Sequence, residues 1–270
     1  MSNQSPRGTI SVRLSIALIV AGVALLSLLF FAFWEKLNRK VENILREQFN
    51  QQQLMLARKI ADNVESYLDY LESEMLAFPY FFHILKPPSD EFDKYMKARF
   101  EDIRHLGVLA FRWYDREGRL LRVWGGDGAD TLAGPRRLFP EEFLRWVQDP
   151  QNRGRLFLSK TAPWPEPPYQ GRLVMRFLTP LSIGPDAPQV HGALELLIDP
   201  HFICGKVTEE VRSGETGYPW IMDQNQIFLA HFEETFVGKD AIKVRLDRNP
   251  KIVFRGIKEM NERILAGQEG

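Results

Sequence analysis

The sequence predicts an α+β protein in which a long helical N-terminal region precedes antiparallel sheets. Residues 14–34 form an uncharged apolar stretch. Residues 35–78 contain neither proline nor glycine and repeat their apolar side chains every three or four positions, as an amphipathic helix does. From residue 108 onward, short runs rich in β-branched and aromatic residues alternate with turn residues, which is typical of antiparallel strands.

The apolar stretch at residues 14–34 predicts a transmembrane helix. Its 21 residues lie between Arg13 and Glu35, and at about 1.5 Å per residue they cover roughly 31 Å, the thickness of the hydrocarbon core of a bilayer. The stretch ends in aromatic residues, including Trp34, instead of the small residues of a signal-peptide cleavage site. We therefore expect an uncleaved anchor. The flanking basic residues do not set its orientation on their own.

Residues 35–78 predict a stalk helix that reaches away from the membrane, with Pro79 and the pair Pro87-Pro88 marking its end. At about 1.5 Å per residue this helix would be roughly 66 Å long. Packing on the following domain and pairing with a second copy as a coiled coil are both compatible with its apolar stripe. We expect a homodimer.

The segment after the stalk predicts an antiparallel sheet covered by helices. Gly118 lies between two strand-like runs, where a tight hairpin needs a positive φ. The predicted elements are a helix at 89–105, strands at 108–114 and 119–124, a helix at 138–148, and strands at 155–159, 173–179 and 190–198.

After residue 200 the same order of elements begins again, which predicts a second, related module. Its predicted elements are a helix at 202–212, a strand at 217–222, a turn at 223–226, a strand at 227–231 and a helix at 250–266. Because a two-stranded ribbon is marginally stable alone, we expect this second module to be incomplete.

The composition and motifs argue against several functional classes. The 35 basic and 35 acidic residues balance, so nothing favours nucleic acid as a partner. The five histidines lack metal-ligand spacing, and no phosphate-binding loop or nucleophile with an adjacent base is visible. We therefore expect no enzyme activity, metal or cofactor in this chain. The single cysteine, Cys204, is interpreted as a small buried hydrophobic residue.

Three segments resemble the core motif of double Cache domains, the extracytoplasmic sensors of bacterial membrane receptors. They are residues 217–223 (GYPWIMD), 227–231 (IFLAH) and 236–240 (FVGKD). Residues 192–199 (GALELLID) also resemble the last strand of the membrane-distal module of that family. The sequence departs from the family at Gln226, where a turn glycine is usual, and at Phe232, where proline is common.

The resemblance implies two PAS-like Cache modules, a membrane-distal one at residues 79–205 and a truncated membrane-proximal one at 206–270. It also implies that residues 35–270 lie outside the inner membrane of a bacterium, in the periplasm or beyond, and that residues 1–13 lie in the cytoplasm. The function expected is ligand sensing for signal transduction, most plausibly by a sensor histidine kinase of a two-component system. A chemoreceptor and a diguanylate cyclase are the alternative outputs.

Ligand binding is expected on the sheet of the distal module, where aromatic walls and a few polar groups can converge. The arginines suit a carboxylate ligand. Strand alternation places Arg112 and Tyr114 on one face and Phe111 and Trp113 on the other, so only one set can line a given pocket. The candidate ligand-binding residues are Arg112, Trp113, Tyr114, Asp115, Arg122, Trp124, Arg176 and Glu195.

Two observations keep alternatives open. Cache domains that bind amino acids carry an arginine, one spacer and a tryptophan-tyrosine pair, together with an aspartate in the last strand. Here Arg112 and Trp113 are adjacent and Leu197 occupies the aspartate position, so that motif does not support amino-acid binding. A membrane-anchored interaction module without a ligand is the second hypothesis, and it predicts no concave site beside Trp113 or Arg112.

Overall fold

The computed structural model describes residues 8–85, 87–125, 139–182, 190–214, 217–249 and 255–268. The chain divides into two compact units, Met1–Met55 and Leu56–Gly270. Helix α1 spans Gly8–Leu85, so it begins in the first unit and ends in the second.

In the first unit the apolar residues of α1 are exposed along the whole stretch from 14 to 34. So much exposed apolar surface is costly in water, and lipid removes that cost. Within the described residues, α1 is the one helix long and apolar enough to cross a membrane.

Helix α1 continues through Pro79 to Leu85, so the prediction that Pro79 ends the helix is wrong. A proline inside a helix costs about 3 kcal/mol. Burial of Phe78 and Phe82 offsets that cost, because Phe78 packs edge-to-face on Phe111 at 5.0 Å and Phe82 packs on Trp113 at 5.5 Å.

Helix α2 spans Asp90–Ile103. Its N-terminus is capped by Ser89, whose Oγ accepts a hydrogen bond from the backbone N–H of Phe92 at 3.2 Å. The helix buries Phe92 and Phe100 against the sheet that follows. It ends two residues before the predicted boundary at 105.

The main sheet has six antiparallel strands. In chain order these are β1 (Val108–Asp115), β2 (Leu120–Gly125), β3 (Phe157–Leu158), β4 (Ala162–Pro163), β5 (Leu173–Ser182) and β6 (Val190–Ile198). Their spatial order is β2-β1-β6-β5-β3, and β4 also pairs with β5. The five strand predictions are confirmed, whereas β4 lies in a proline-rich segment that the sequence pattern did not mark. Helix α3 spans Glu141–Gln148, and residue 138 of its predicted range lies outside the described residues.

The two faces of this sheet bury different partners. One face, here called the helix face, packs Phe111 and Leu194 against α1 and α2. The other, here called the α3 face, packs Tyr114 and Leu197 against α3 and the segment that follows β4. Both faces are therefore covered, and the long strands β1 and β6 lie at the centre of the buried core.

The second sheet is a hairpin of two short strands, β7 (Ile221–Met222) and β8 (Phe228–Ala230). Its turn forms without the glycine that the family usually has, and Gln226 takes a φ of 62° there. Asp223 stabilises the turn, since its Oδ1 accepts hydrogen bonds from the backbone N–H groups of Asn225 at 2.8 Å and Ile227 at 2.9 Å.

Three helices accompany the hairpin: α4 (Pro200–Thr208), α5 (Ala241–Arg248) and α6 (Arg255–Leu265). Helix α4 begins after Asp199, whose Oδ1 accepts from the backbone N–H of His201 at 2.9 Å, and it ends before the predicted boundary at 212. Helix α5 was not predicted. For the predicted helix at 250–266, residues 250–254 lie outside the described residues.

Candidate functional site

The predicted alternation along β1 is confirmed. Arg112 and Tyr114 belong to the α3 face, whereas Phe111 and Trp113 belong to the helix face. The eight candidate residues consequently separate into two groups, with Asp115 outside both.

Four of the candidates form one connected group on the α3 face, here called the arginine cluster: Arg112, Tyr114, Arg176 and Glu195. Glu195 lies directly across from Arg112 in the β1–β6 register. Its Oε2 accepts a hydrogen bond from the Tyr114 hydroxyl at 2.6 Å, and its Oε1 accepts from Nε of Arg176. Arg112 Nη1 donates to the Tyr114 oxygen at 3.3 Å. One carboxylate therefore bonds directly to side chains from two other strands, and Arg112 joins the cluster through the Tyr114 oxygen.

The arginine cluster is buried. Tyr114 and Glu195 have no exposed surface, Arg112 is 7% exposed, and the side chain of Arg176 is 11% exposed. Burial raises the pKa of Tyr114 well above its ordinary value, and the negative charge of Glu195 raises it further. The phenol therefore stays protonated and acts as a hydrogen-bond donor to Glu195.

Two aromatic rings cover the guanidinium groups. Trp164 lies over Arg112 with 4.7 Å between the Cζ atom and the ring centroid, and over Arg176 at 5.4 Å. Phe143 of α3 lies over Arg176 at 4.6 Å. Such cation–π contacts contribute roughly 0.5–2 kcal/mol each when water is excluded. The sequence reasoning missed both rings, and the only available signal for Trp164 was an aromatic residue inside the proline-rich loop.

The charges within the arginine cluster do not balance, because it holds two guanidinium groups and one carboxylate, and that carboxylate pairs with Arg176. Arg176 Nη2 and Trp164 Nε1 are also buried donors that lack an acceptor in the described part of the chain. An unpaired buried donor costs roughly 1–3 kcal/mol, more when it is charged. A carboxylate group could supply the missing charge and accept from these donors, and guanidinium geometry suits such a ligand.

Three other candidates lie on the helix face. Asp93 of α2 accepts a hydrogen bond from Arg122 Nη2 at 2.6 Å and from Trp124 Nε1 at 3.3 Å. Trp113 lies between Phe82 and Phe92, with ring centroids 5.5 and 5.9 Å away. These contacts stabilise the packing of α1 and α2 on the sheet.

A cavity of about 440 Å³ opens beside Trp113, with Leu121, Arg122 and His191 among its lining residues. The interaction-module hypothesis predicts that no concave site lies beside Trp113, and this cavity is such a site. The cavity lies on the helix face, whereas the arginine cluster lies on the α3 face, so it does not join the two groups of candidates.

Asp115 closes the β1–β2 hairpin. Its Oδ1 accepts from the backbone N–H groups of Glu117 at 3.0 Å and Arg119 at 2.8 Å, and its Oδ2 accepts from Arg119 Nε at 2.6 Å. These bonds are those of an Asx turn, which orders the chain reversal. The structure does not bring Asp115 together with the other candidates.

Metal-ligating side chains do not cluster in the described ranges. No group of three or more histidine, cysteine or acidic side chains is close enough there to hold a metal ion. Cys204 is buried, as the sequence interpretation expected, and burial raises the pKa of its thiol to about 12.

The chain is similar in structure to three kinds of sensor protein. The extracellular domain of vpHK1S-Z8, named as a histidine kinase, shares 14% identity over 83% of this chain and 81% of that chain, with a TM-score of 0.57. A domain of a sensory box/GGDEF family protein from Vibrio parahaemolyticus shares 14% over 83% and 86%, also with a TM-score of 0.57. The ligand-binding domain of the Campylobacter jejuni chemoreceptor Tlp3, in complex with L-valine, shares 15% over 78% and 77%, with a TM-score of 0.53.

No protein-family model matches the chain, and no curated protein matches it. The structural similarities show that the chain has the fold of these sensor domains, in agreement with the fold that the resemblance to double Cache domains implied. The predicted α+β class, with a long apolar helix before PAS-like antiparallel sheet, is confirmed. The module boundary at residue 205 stays a prediction, as do the homodimer and the ligand-binding roles of the eight candidates.

Proposed function

We propose that this chain is the sensing region of a bacterial receptor that binds a small carboxylate ligand at the arginine cluster. Helix α1 would anchor it in the inner membrane, and residues 35–270 would lie outside the cytoplasm. The observation that carries the proposal is the buried excess of guanidinium charge, with Arg176 Nη2 and Trp164 Nε1 both lacking an acceptor. A protein that needed this cluster only for stability would gain nothing from an unbalanced buried charge.

The ligands of the similar structures support a small molecule that carries a carboxylate. The Tlp3 domain is described in complexes with L-valine, isoleucine and L-norvaline, and the Mlp24 domain is described with asparagine. In this chain Leu197 lies across from Arg176 in the β5–β6 register, and Glu195 already binds Arg176 and Tyr114. No carboxylate of the arginine cluster is left for an ammonium group, so we infer that a carboxylate without an α-amino group binds better than an amino acid.

A direct connection links the cluster to the second sheet. Trp164, which covers both arginines, follows β4 by one residue, and Thr161 precedes β4 by one residue. The Thr161 hydroxyl donates to Asp223 Oδ2, and both side chains are buried. A ligand that shifts Trp164 would therefore act on the strand that is bonded to the β7–β8 turn. Such a shift transmits a signal only if the ligand binds one of two arrangements more tightly.

As the output that this sensor controls, we propose a histidine kinase of a two-component system. A chemoreceptor and a diguanylate cyclase are the alternatives, and proteins of the histidine kinase, chemoreceptor and GGDEF classes carry similar sensor domains. Because one fold serves several outputs, the choice among them depends on the domain that is coupled to the sensor.

The ligand proposal is tested by thermal unfolding of the full chain in detergent micelles, followed by tryptophan fluorescence. The probes are isovalerate, succinate and L-valine, with isobutylamine as a probe without a carboxylate. A ligand present at about one hundred times its Kd adds about 2.7 kcal/mol to the free energy of unfolding. We expect a rise in Tm with at least one carboxylate and none with isobutylamine.

A pair of variants shows whether the arginine cluster binds the probe. Arg176→Met removes the guanidinium group while keeping an apolar side chain beneath Phe143 and Trp164. Arg172→Met removes a guanidinium whose side chain is 48% exposed and pairs with Asp199 at 3.4 Å. We expect Arg176→Met to abolish the carboxylate-dependent rise in Tm and Arg172→Met to retain it. If no carboxylate raises Tm, or if both variants respond like the wild type, the ligand-free interaction module becomes the better reading.

A further inference from the structure

A second cavity, separate from the arginine cluster, lies between helix α4 and the β7–β8 hairpin. Its volume is about 380 Å³, which falls within the range of roughly 300–1,000 Å³ typical of small-molecule sites. His201 contributes to its wall from α4, and His231 contributes from the residue after β8. The two imidazole rings are held by different hydrogen bonds. Nδ1 is the donor in one ring and the acceptor in the other.

His201 is held as a hydrogen-bond donor through Nδ1. This atom lies 3.0 Å from the carbonyl oxygen of Leu229, which can only accept, so Nδ1 must carry the proton. In the neutral ring Nε2 is then an acceptor. Within the described ranges Nε2 of His201 has no hydrogen-bond partner.

His231 is held in the opposite sense. Its Nδ1 lies 3.0 Å from the backbone N–H of Glu233, which can only donate, so Nδ1 must be unprotonated. The neutral ring therefore carries its proton on Nε2, which has no acceptor among the described residues. Burial lowers the pKa of His231 below its ordinary value, so the ring stays neutral near pH 7.

Two aromatic rings of the wall lie beside His231. Tyr218 and Phe232 lie 3.7 Å apart between ring centroids, and His231 lies 4.9 Å from Phe232 and 5.4 Å from Tyr218. The apolar side chain of Leu229 completes this part of the lining. Flat faces of this kind favour a planar ligand, because stacked and edge-to-face contacts add to the energy of area burial.

The charged side chains of the lining provide no excess of positive charge for an anionic ligand. They are Glu209, Arg212 and Glu234, so acidic groups outnumber the basic one. This differs from the arginine cluster, where the excess charge is positive. A neutral molecule avoids the repulsion and the cost of losing a full charge's hydration.

We propose that this cavity binds a small, neutral, planar molecule that presents a donor and an acceptor side by side, as a carboxamide on an aromatic ring does. The carbonyl oxygen accepts from Nε2–H of His231, and the amide N–H donates to Nε2 of His201. The aromatic ring of the ligand packs against Tyr218 and Phe232.

The test uses the full chain labelled with ¹⁵N-histidine, in detergent micelles, and reads the imidazole nitrogen signals by NMR. Without any probe, we expect the proton of His231 on Nε2 and that of His201 on Nδ1. Benzamide is added at millimolar concentration, which detects a binding free energy of about 4 kcal/mol. It is expected to shift both Nε2 signals. Benzoate, which has the same ring and only acceptor oxygens, is expected to leave them in place.

Variants separate this site from the arginine cluster. His231→Phe keeps the ring and removes the donor, so it should abolish the benzamide-induced shift at His201. His105→Gln, at an exposed position outside the cavity, should leave the shift intact. Arg176→Met should also leave it intact, so failure of the carboxylate proposal would not affect this result. Reversed tautomers in the wild type, or unmoved Nε2 signals with benzamide, would overturn the proposal even if His231→Phe failed to fold.

Discussion

Two carboxylates hold the same kinds of partner in different surroundings. On the helix face, Asp93 accepts from the guanidinium of Arg122 and from the indole N–H of Trp124. On the α3 face, Glu195 accepts from the guanidinium of Arg176 and from the phenol of Tyr114. Each carboxylate thus binds one arginine and one aromatic donor.

The difference between these two groups is their exposure and their charge balance. The side chains of Asp93 and Arg122 are 27% and 33% exposed, whereas those of Glu195 and Arg176 are 0% and 11% exposed. Water screens the first pair, and the second pair interacts in a medium of low effective dielectric constant. Around Glu195 there is also a second guanidinium, Arg112. The same chemical pairing therefore stabilises partly exposed packing on one face and forms the proposed anion-binding site on the other.

Removal of the buried carboxylate should have the largest effect on stability. Glu195→Gln leaves Arg112 and Arg176 buried without a counter-charge, and breaking a buried ion pair in this way costs about 3–5 kcal/mol. The free energy of unfolding of the full chain in micelles, measured with urea, would show this loss. Glu195→Gln combined with Arg176→Met should recover much of it, because the second substitution removes one of the unpaired charges.

A loss of less than about 1 kcal/mol for Glu195→Gln would contradict the comparison. It would mean that the cluster on the α3 face is hydrated and behaves like the pair formed by Asp93 and Arg122. A carboxylate probe added to Glu195→Gln tests the same comparison. The variant has a larger excess of positive charge, so it should bind the probe more tightly.

Tyr114→Phe should have an intermediate effect. It removes the hydroxyl that donates to Glu195 Oε2 at 2.6 Å, and a buried acceptor left with one partner fewer costs about 1–3 kcal/mol. Because burial raises the pKa of Tyr114 in the folded state, the wild type binds its phenolic proton more strongly when folded. Its contribution to stability is complete below the ordinary pKa of about 10 and falls as the pH rises above that value.

The measurement for this variant is the free energy of unfolding at pH 8 and at pH values above 10. We expect the difference between the wild type and Tyr114→Phe to shrink at alkaline pH, because only the wild type loses this contribution. A difference that stays constant with pH would mean that the folded protein does not disfavour ionisation of this phenol.

The sequence predicted the strands and their facing, because these depend on local periodicity. The alternation along β1 is enough to separate Arg112 and Tyr114 from Trp113. The apolar period of residues 35–78 likewise predicted the helix. The sequence could not show that the contacts of Phe78 and Phe82 outweigh the cost of Pro79 inside the helix. Those contacts are made with a strand that is distant in sequence.

The candidate site was predictable in part for the same reason. Residues on the strands could be named, but their partners Asp93 and Trp164 come from other segments. Trp164 lies in a proline-rich loop that has no periodic pattern, and only the β4–β5 pairing brings it over the two arginines. The role of Asp115 was missed because an aspartate at a hairpin turn can either bind a ligand or stabilise the turn. Only the hydrogen bonds that it accepts from Glu117 and Arg119 distinguish the two roles.

The smallest effect is expected from Asp93→Asn on the helix face. The substitution keeps an acceptor for Arg122 and Trp124 and removes one charge from a partly exposed pair, so the free energy of unfolding should fall by about 0–1 kcal/mol. Most of that change should disappear at high salt, because screening weakens exposed ion pairs and leaves buried ones nearly unaffected. Urea unfolding at low and high sodium chloride, run beside Glu195→Gln, measures both variants on one scale. A salt-independent loss of several kcal/mol for Asp93→Asn would show that the helix face also depends on a buried charge, and the contrast between the two carboxylates would then fail.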